Sequence, residues 1–269
     1  MCPWPKHAPT YARMIRADHA RRMLRMHAER LAQTATDATL PNPAATTLAQ
    51  ADTLGRFLEN LSGQFAPHPG SLPRTVVPEA PPRDSSEEAL DEERLLLATA
   101  TAHPAELKDM RWLMPEDFAL PLHASLWQCL TSLVHRGDPV DPVTVLWEAQ
   151  HRGLLADGLT PSDLMALVSM PVGSPEYWGE KVLQRALLAR AHAVATRITA
   201  YTEDPANTPH QLITGSRRAL ADLTALHTRW QRTTATTPPT AARTPRTPAV
   251  TRAGPPPRTA APAARAATR

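Results

Sequence analysis

Residues 175–202 read PEYWGEKVLQRALLARAHAVATRITAYT, and this stretch decides the fold class. Pro175 suits the first turn of a helix, where its missing N–H leaves no hydrogen bond unmade. From there Trp178, Val182, Leu183, Ala186, Leu187, Val194 and Ile198 recur at helical spacing, with Arg190 in the same run. The period is that of a helix and not the alternation of a strand. Pro205 and Pro209 mark a turn, after which Leu212, Ile213, Leu220, Leu223 and Leu226 continue the pattern to about residue 230. Two long amphipathic segments joined by a short turn predict an antiparallel helical hairpin.

Upstream the same grammar repeats in shorter pieces. Ser85-x-x-Glu88 is a capping box that opens a helix through Leu90, residues 94–97 and Ala102. Pro104 predicts the first turn of a short helix to Trp112. Residues 113–118 read as a turn, followed by a helix over about 122–136 that Gly137 stops. Asp141 caps a helix starting at Pro142, with Val145, Leu146 and Ala149 inward and Gly153 at its end. Ser162 is expected to cap a short helix reaching Met170. Further out, residues 11–34 contain neither proline nor glycine and favour helix. Residues 48–61 place Leu48, Ala51, Leu54, Phe57, Leu58 and Leu61 on one stripe. Six prolines in residues 66–83 predict an extended, disordered linker. No segment alternates at period two, so the class is all-α: a globular helical domain followed by a long helical hairpin.

Charge divides the chain into three zones. The whole carries a formal net charge of +3 over 269 residues. Residues 231–269 hold eight prolines and no acid, and their arginines include Arg243, Arg246, Arg252, Arg258, Arg265 and Arg269. Such a composition buries too little apolar surface to fold and predicts a disordered basic tail. Residues 1–82, an Arg-rich helical extension and linker, carry 9 basic and 6 acidic groups. Residues 83–230, the domain proper, are acidic, so protein partners are expected to outrank nucleic acid.

Several chemistries are excluded or disfavoured. Two cysteines cannot form a disulfide framework and suit a reducing, cytoplasmic setting. No apolar run approaches the ~20 residues of a membrane span, and the first residues lack the apolar core of a signal peptide. A phosphate-binding loop needs a Gly-Lys step, which the sequence does not contain. The eleven histidines show no metal-ligand spacing, so neither metal nor cofactor is expected. Cys129 lies among Leu126, Leu130 and Leu133 and reads as a core residue. The acids Glu87, Glu88, Asp91, Glu92 and Glu93 read as a helix start rather than a catalytic carboxylate site. Arg13, Arg16, Arg21, Arg22, Arg25 and Arg30 share one helix, a candidate nucleic-acid face together with Arg243, Arg246 and Arg252 of the tail.

The order of motifs over residues 87–226 carries a resemblance. Glu93-Arg94-Leu95-Leu96-Leu97 leads to His103-Pro104-Ala105; Leu113-Met114-Pro115-Glu116-Asp117-Phe118 is followed by His123. Then come Arg136-Gly137-Asp138-Pro139-Val140-Asp141-Pro142-Val143-Thr144-Val145 and Arg152-Gly153-Leu154-Leu155. Met170-Pro171-Val172-Gly173-Ser174-Pro175-Glu176-Tyr177-Trp178 leads to Ala186-Leu187-Leu188-Ala189-Arg190. In content, order and spacing this resembles the N-terminal domain of DnaB-type replicative helicases.

The resemblance implies an interaction module of DNA replication, a helical head plus a hairpin that pairs between subunits and engages primase and loading factors. The RecA-like motor that follows this domain in the family has no counterpart here, so no enzymatic activity is expected. The expectation is a dimer or higher oligomer that binds helicase, primase or a loader-type protein. Its candidate interface is Trp178, Val182, Arg185, Arg190, Leu212, Leu220 and Leu223. The alternatives are a non-specific nucleic-acid binder acting through its basic flanks, or a degenerate helicase fragment.

Overall fold

A computed structural model describes residues 5–65, 71–76, 86–157 and 160–236. Most of the expected linker, and the expected tail beyond residue 236, lie outside the described residues; residues 231–236, expected in the tail, instead extend the last helix. Among those described there are eight α-helices and no strand. They are α1 (Ala8–Thr36), α2 (Pro43–Gln64), α3 (Glu87–Ala102), α4 (Pro121–Arg136), α5 (Pro142–His151), α6 (Pro161–Leu167), α7 (Pro175–Glu203) and α8 (Pro209–Thr236).

The local signals account for most helix ends. Asp141 Oδ1 accepts from the N–H groups of Val143 and Thr144 at 2.8 and 2.9 Å, while Thr144 Oγ1 accepts from the Asp141 N–H at 2.9 Å. This reciprocal cap satisfies donors that a helix start otherwise leaves open. Gly137 ends α4 in the left-handed region, at φ 76°, a conformation that glycine adopts without a Cβ clash.

Three expected details change. The cap of α3 is Ser86, whose hydroxyl accepts from the Ala89 N–H, one residue past the Ser85 proposed from sequence. The cap of α6 is Thr160, not Ser162, because Asp163 at the third helical position closes a reciprocal box with it; α6 stops at Leu167, short of Met170. After Pro104 the chain makes 3₁₀-type turns with only Glu106–Lys108 as a regular piece. Here Leu107, Met110 and Leu113, all buried, are spaced by three. That spacing fits three residues per turn better than 3.6, so the tighter winding places all of them on the core.

Two halves share one core. α3 to α6 form the head, with α3 lying against α7. The hairpin α7–α8 is flanked by α1, which runs along α7, and by α2, which packs on α1 and α8. The result is a four-helix bundle of α1, α2, α8 and α7. Leu24 and Leu31 of α1, Leu54 and Leu58 of α2, Leu97, Phe118 and Trp127 of the head, and Leu187, Ile198 and Leu223 of the hairpin belong to one buried cluster. Packing therefore runs across residue 82, where composition divides the chain.

Residues 71–76 lie across the turn of the hairpin. Thr75 Oγ1 donates to Asp204 Oδ2 and accepts from Asn207 Nδ2, each at 2.7 Å. The first of these bonds holds the Asp204 carboxyl below its ordinary pKa. A Cβ on Gly215 would sit 2.6 Å from Pro73, so this close approach requires glycine.

Two interior groups give early tests. Burial pushes the Cys129 thiol up to about 11, which leaves almost no thiolate at neutral pH. With Cys2 replaced by serine, Cys129 is expected to resist a thiol reagent in the native state and react fully in denaturant; rapid native labelling would contradict its core placement. His27 is buried with its ring 4.7 Å from Phe57, and its Nδ1 has no hydrogen-bond partner among the described residues. Burial first, then the charge of Arg30, lowers its pKa. A lowered folded-state value means that neutral His27 contributes stability above its unfolded value of about 6.5, lost as pH falls through the folded value. His27→Leu is expected to flatten the stability–pH curve below about pH 6.5, measured by urea unfolding; an unaltered curve would refute it.

Candidate functional site

The turn 113–118 joins the head to the hairpin through two buried carboxylates. Glu93, on α3, is fully buried. It accepts from the Ala119 N–H at 2.6 Å, from the Leu120 N–H at 3.4 Å and from His123 Nδ1 at 2.8 Å. Arg185 of α7 completes the cluster, with Nη1 3.5 Å from Glu93 and donating to the Ala89 carbonyl at 3.2 Å, and Nη2 on Glu92. Asp117 accepts from Arg229 of α8 at 2.6 and 3.0 Å and from the Met114 N–H at 2.8 Å. Buried carboxylates persist only when their lone pairs are met by donors, and here the donors come from the turn and from both hairpin helices. The arrangement positions a loop; among the described residues no group of three or more His, Cys, Asp or Glu side chains could hold a metal ion.

The acidic stretch 87–93 is thus not only a helix start. Glu93 lies in the second turn, on the stripe of Ala89, Leu96, Leu97 and Ala100. That spacing was the available signal for its burial. Nothing in the sequence pairs Asp117 with Arg229, which is 112 residues away.

The hairpin residues expected to meet a partner are mostly spent inside the chain. Val182, Leu212 and Leu223 are 0%, 3% and 1% exposed, and they belong to the shared core. Leu220 is half-buried, with Cδ2 3.5 Å from where a Cβ on Gly55 of α2 would sit. Trp178 donates from Nε1 to the Val172 carbonyl at 2.6 Å, Arg185 is engaged as above, and only Arg190 is exposed. The physical reason is that α1 and α2 cover the apolar stripe that a second hairpin would otherwise have to cover.

The arginines of α1 also divide. Arg21 donates to the carbonyls of Thr202, Asp204 and Asn207 at 3.0, 2.6 and 2.5 Å, where it meets the open acceptors at the end of α7. Arg22 pairs with Asp18, and Arg25 with Glu29 and Glu203. Arg13 and Arg16 are exposed. Arg243, Arg246 and Arg252 lie outside the described residues.

On the head, Glu148 of α5 accepts from Arg136 at 2.7 Å and from Arg152 at 2.9 Å; these bonds, Arg136 first, hold its pKa below the ordinary carboxylate value. The exposed face of the same helix shows Val143 and Trp147.

No helix among the described residues is long and apolar enough to cross a membrane. No solved structure matches the chain. Over 87 residues the chain is 33% identical to the replicative DNA helicase DnaB of Mycobacterium leprae (strain TN). That match covers 32% of this chain and 14% of the relative. The head, from the start of α3 into α7, is the part the comparisons identify: residues 85–179 match the family described as the DnaB-like helicase N-terminal domain.

Proposed function

We propose that the chain is a replication-associated interaction module that binds a replisome protein (the helicase, primase or a loader) through its DnaB-like head. The observation that carries this reading is the family match over residues 85–179, the segment that contains the anchored 113–123 turn. The acidic balance of residues 83–230 and the reducing-compartment cysteine usage agree with a cytoplasmic protein-binding role. Residues 83–230 are the unit proposed to resemble the family domain, and residues 1–82 supply the helices that complete its hairpin.

Self-association through residues 175–230 would require Val182, Leu212 and Leu223 to leave a core already filled by α1 and α2. The proposal therefore makes this face intramolecular and the chain a monomer there. Size-exclusion chromatography with light scattering gives the mass relative to one 29.4 kDa chain, and a dimer that cross-links through residues 175–230 overturns this part. Co-elution of the purified chain with purified helicase or primase from the same cell tests the partner, and failure with helicase, primase and loader alike ends the replication reading.

A second reading, phosphate binding by the basic ends, is favoured by the exposure of Arg13 and Arg16. It predicts sequence-indifferent DNA binding that falls steeply with salt.

A further inference from the structure

We infer that the groove between the 107–115 turns and the C-terminal half of α4 is a docking site for an acidic, amphipathic peptide segment of another protein. The groove has a volume of about 820 Å³, within the range of about 300–1,000 Å³ typical of ligand clefts. Lys108, Arg111, His135 and Arg136 line it, and no carboxylate does. This stands out on a domain whose charge balance is acidic. Arg136 is already met by Asp138 and Glu148. Lys108 and Arg111 are exposed, and no ion pair engages either among the described residues. Two cations therefore face solvent beside apolar surface formed by Met114, 45% exposed, and the half-buried Pro115 and Val134.

The combination selects the occupant. A phosphate backbone is held by cations alone, and single-stranded nucleic acid adds stacking on exposed aromatic rings. The one aromatic side chain in this lining is Trp127, which is 1% exposed with its Nε1 turned to the Leu113 carbonyl. No ring is available for a base. An apolar lining with a cationic rim instead fits a peptide that places bulky apolar side chains inward and carboxylates at the edge. The chain's own tail is excluded by charge, since residues 231–269 contain no acid. The groove is bordered by a turn that is anchored at both sides, because Glu93 ties residues 119 and 120 to α3 and Asp117 pairs with Arg229 of α8.

This inference narrows the proposed interaction role to one surface. The probe is a fluorescein-labelled peptide of about twelve residues, with Leu and Phe at i, i+4 positions and Asp and Glu elsewhere. Its control replaces every carboxylate by an amide. Fluorescence anisotropy with the full chain is expected to show binding that weakens with salt. The double variant Lys108→Glu, Arg111→Glu changes two exposed side chains, and circular dichroism verifies that it folds. It is expected to bind about tenfold or more weakly, by charge repulsion at the rim. The inference is overturned if the peptide does not bind, if the amide control binds equally, if the double variant binds as wild type does, or if single-stranded oligonucleotide displaces the peptide. A replisome protein that binds wild type and double variant alike would remove the groove and leave the replication reading standing.

Discussion

Replacing Glu93 by alanine is expected to lower the unfolding free energy by about 3–5 kcal/mol, the cost of breaking a buried charge cluster from one side. The carboxylate is completely buried and accepts from two backbone N–H groups and from His123. Its removal strands those donors and leaves Arg185, whose side chain is 17% exposed, with Glu92 as its one ionic partner among the described residues. Glu93→Gln is expected to recover part of the loss, because an amide oxygen still accepts from the Ala119 N–H while the amide NH₂ faces donors. Urea unfolding at neutral pH measures both, and a Glu93→Ala loss under about 1 kcal/mol would show the cluster to be dispensable. A double-mutant cycle with His123→Leu isolates the coupling of the pair. The functional consequence concerns the 113–120 turn. Without Glu93 the turn keeps its tie to Arg229 but loses its tie to α3, so peptide binding in the adjacent groove is expected to fall as well.

The all-α class and several helix starts and stops were legible because local rules decide them. Asp141, Gly137 and the Pro175 start depend on a few neighbouring residues and hold in the structure. The family segment was legible for the same reason, since its motifs are turns, caps and stops in a fixed order. What could not be read was which surface covers which. Val182 and Leu223 show an apolar stripe whether the covering helix comes from α1 and α2 or from another subunit, and periodicity does not distinguish the two. The arginines of α1 show the same gap. Arg21 and Arg13 are both cations on one helix, yet Arg21 meets three carbonyls at the end of α7 and Arg13 meets solvent. The head groove was invisible for a further reason. Lys108 and Arg111 come from one loop and His135 from a helix end, and only the fold brings them beside a common apolar surface.

Leu31→Ala is expected to destabilise the whole described fold and not α1 alone. Leu31 is 0% exposed in the core that joins α1 to α7 and, through α7, to the head. A buried leucine truncated to alanine costs about 2–5 kcal/mol, set by how far the cavity collapses. For a chain of this size that corresponds to about 2–4 °C in melting temperature for each kcal/mol. The informative readout is where the loss is felt. If the compositional boundary at residue 82 were also a boundary of folding, exchange protection would fall in α1 and α2 and stay unchanged at amides in α4. One shared core predicts the opposite: the most protected amides of α4, such as those of Leu130 and Leu133, lose protection by the same free energy as those of α7, because both exchange through global unfolding. Native-state hydrogen exchange of wild type and Leu31→Ala separates the two outcomes. Equal loss makes the N-terminal helices part of the stability of the DnaB-like head, with α1 and α2 contributing to the same core as the hairpin.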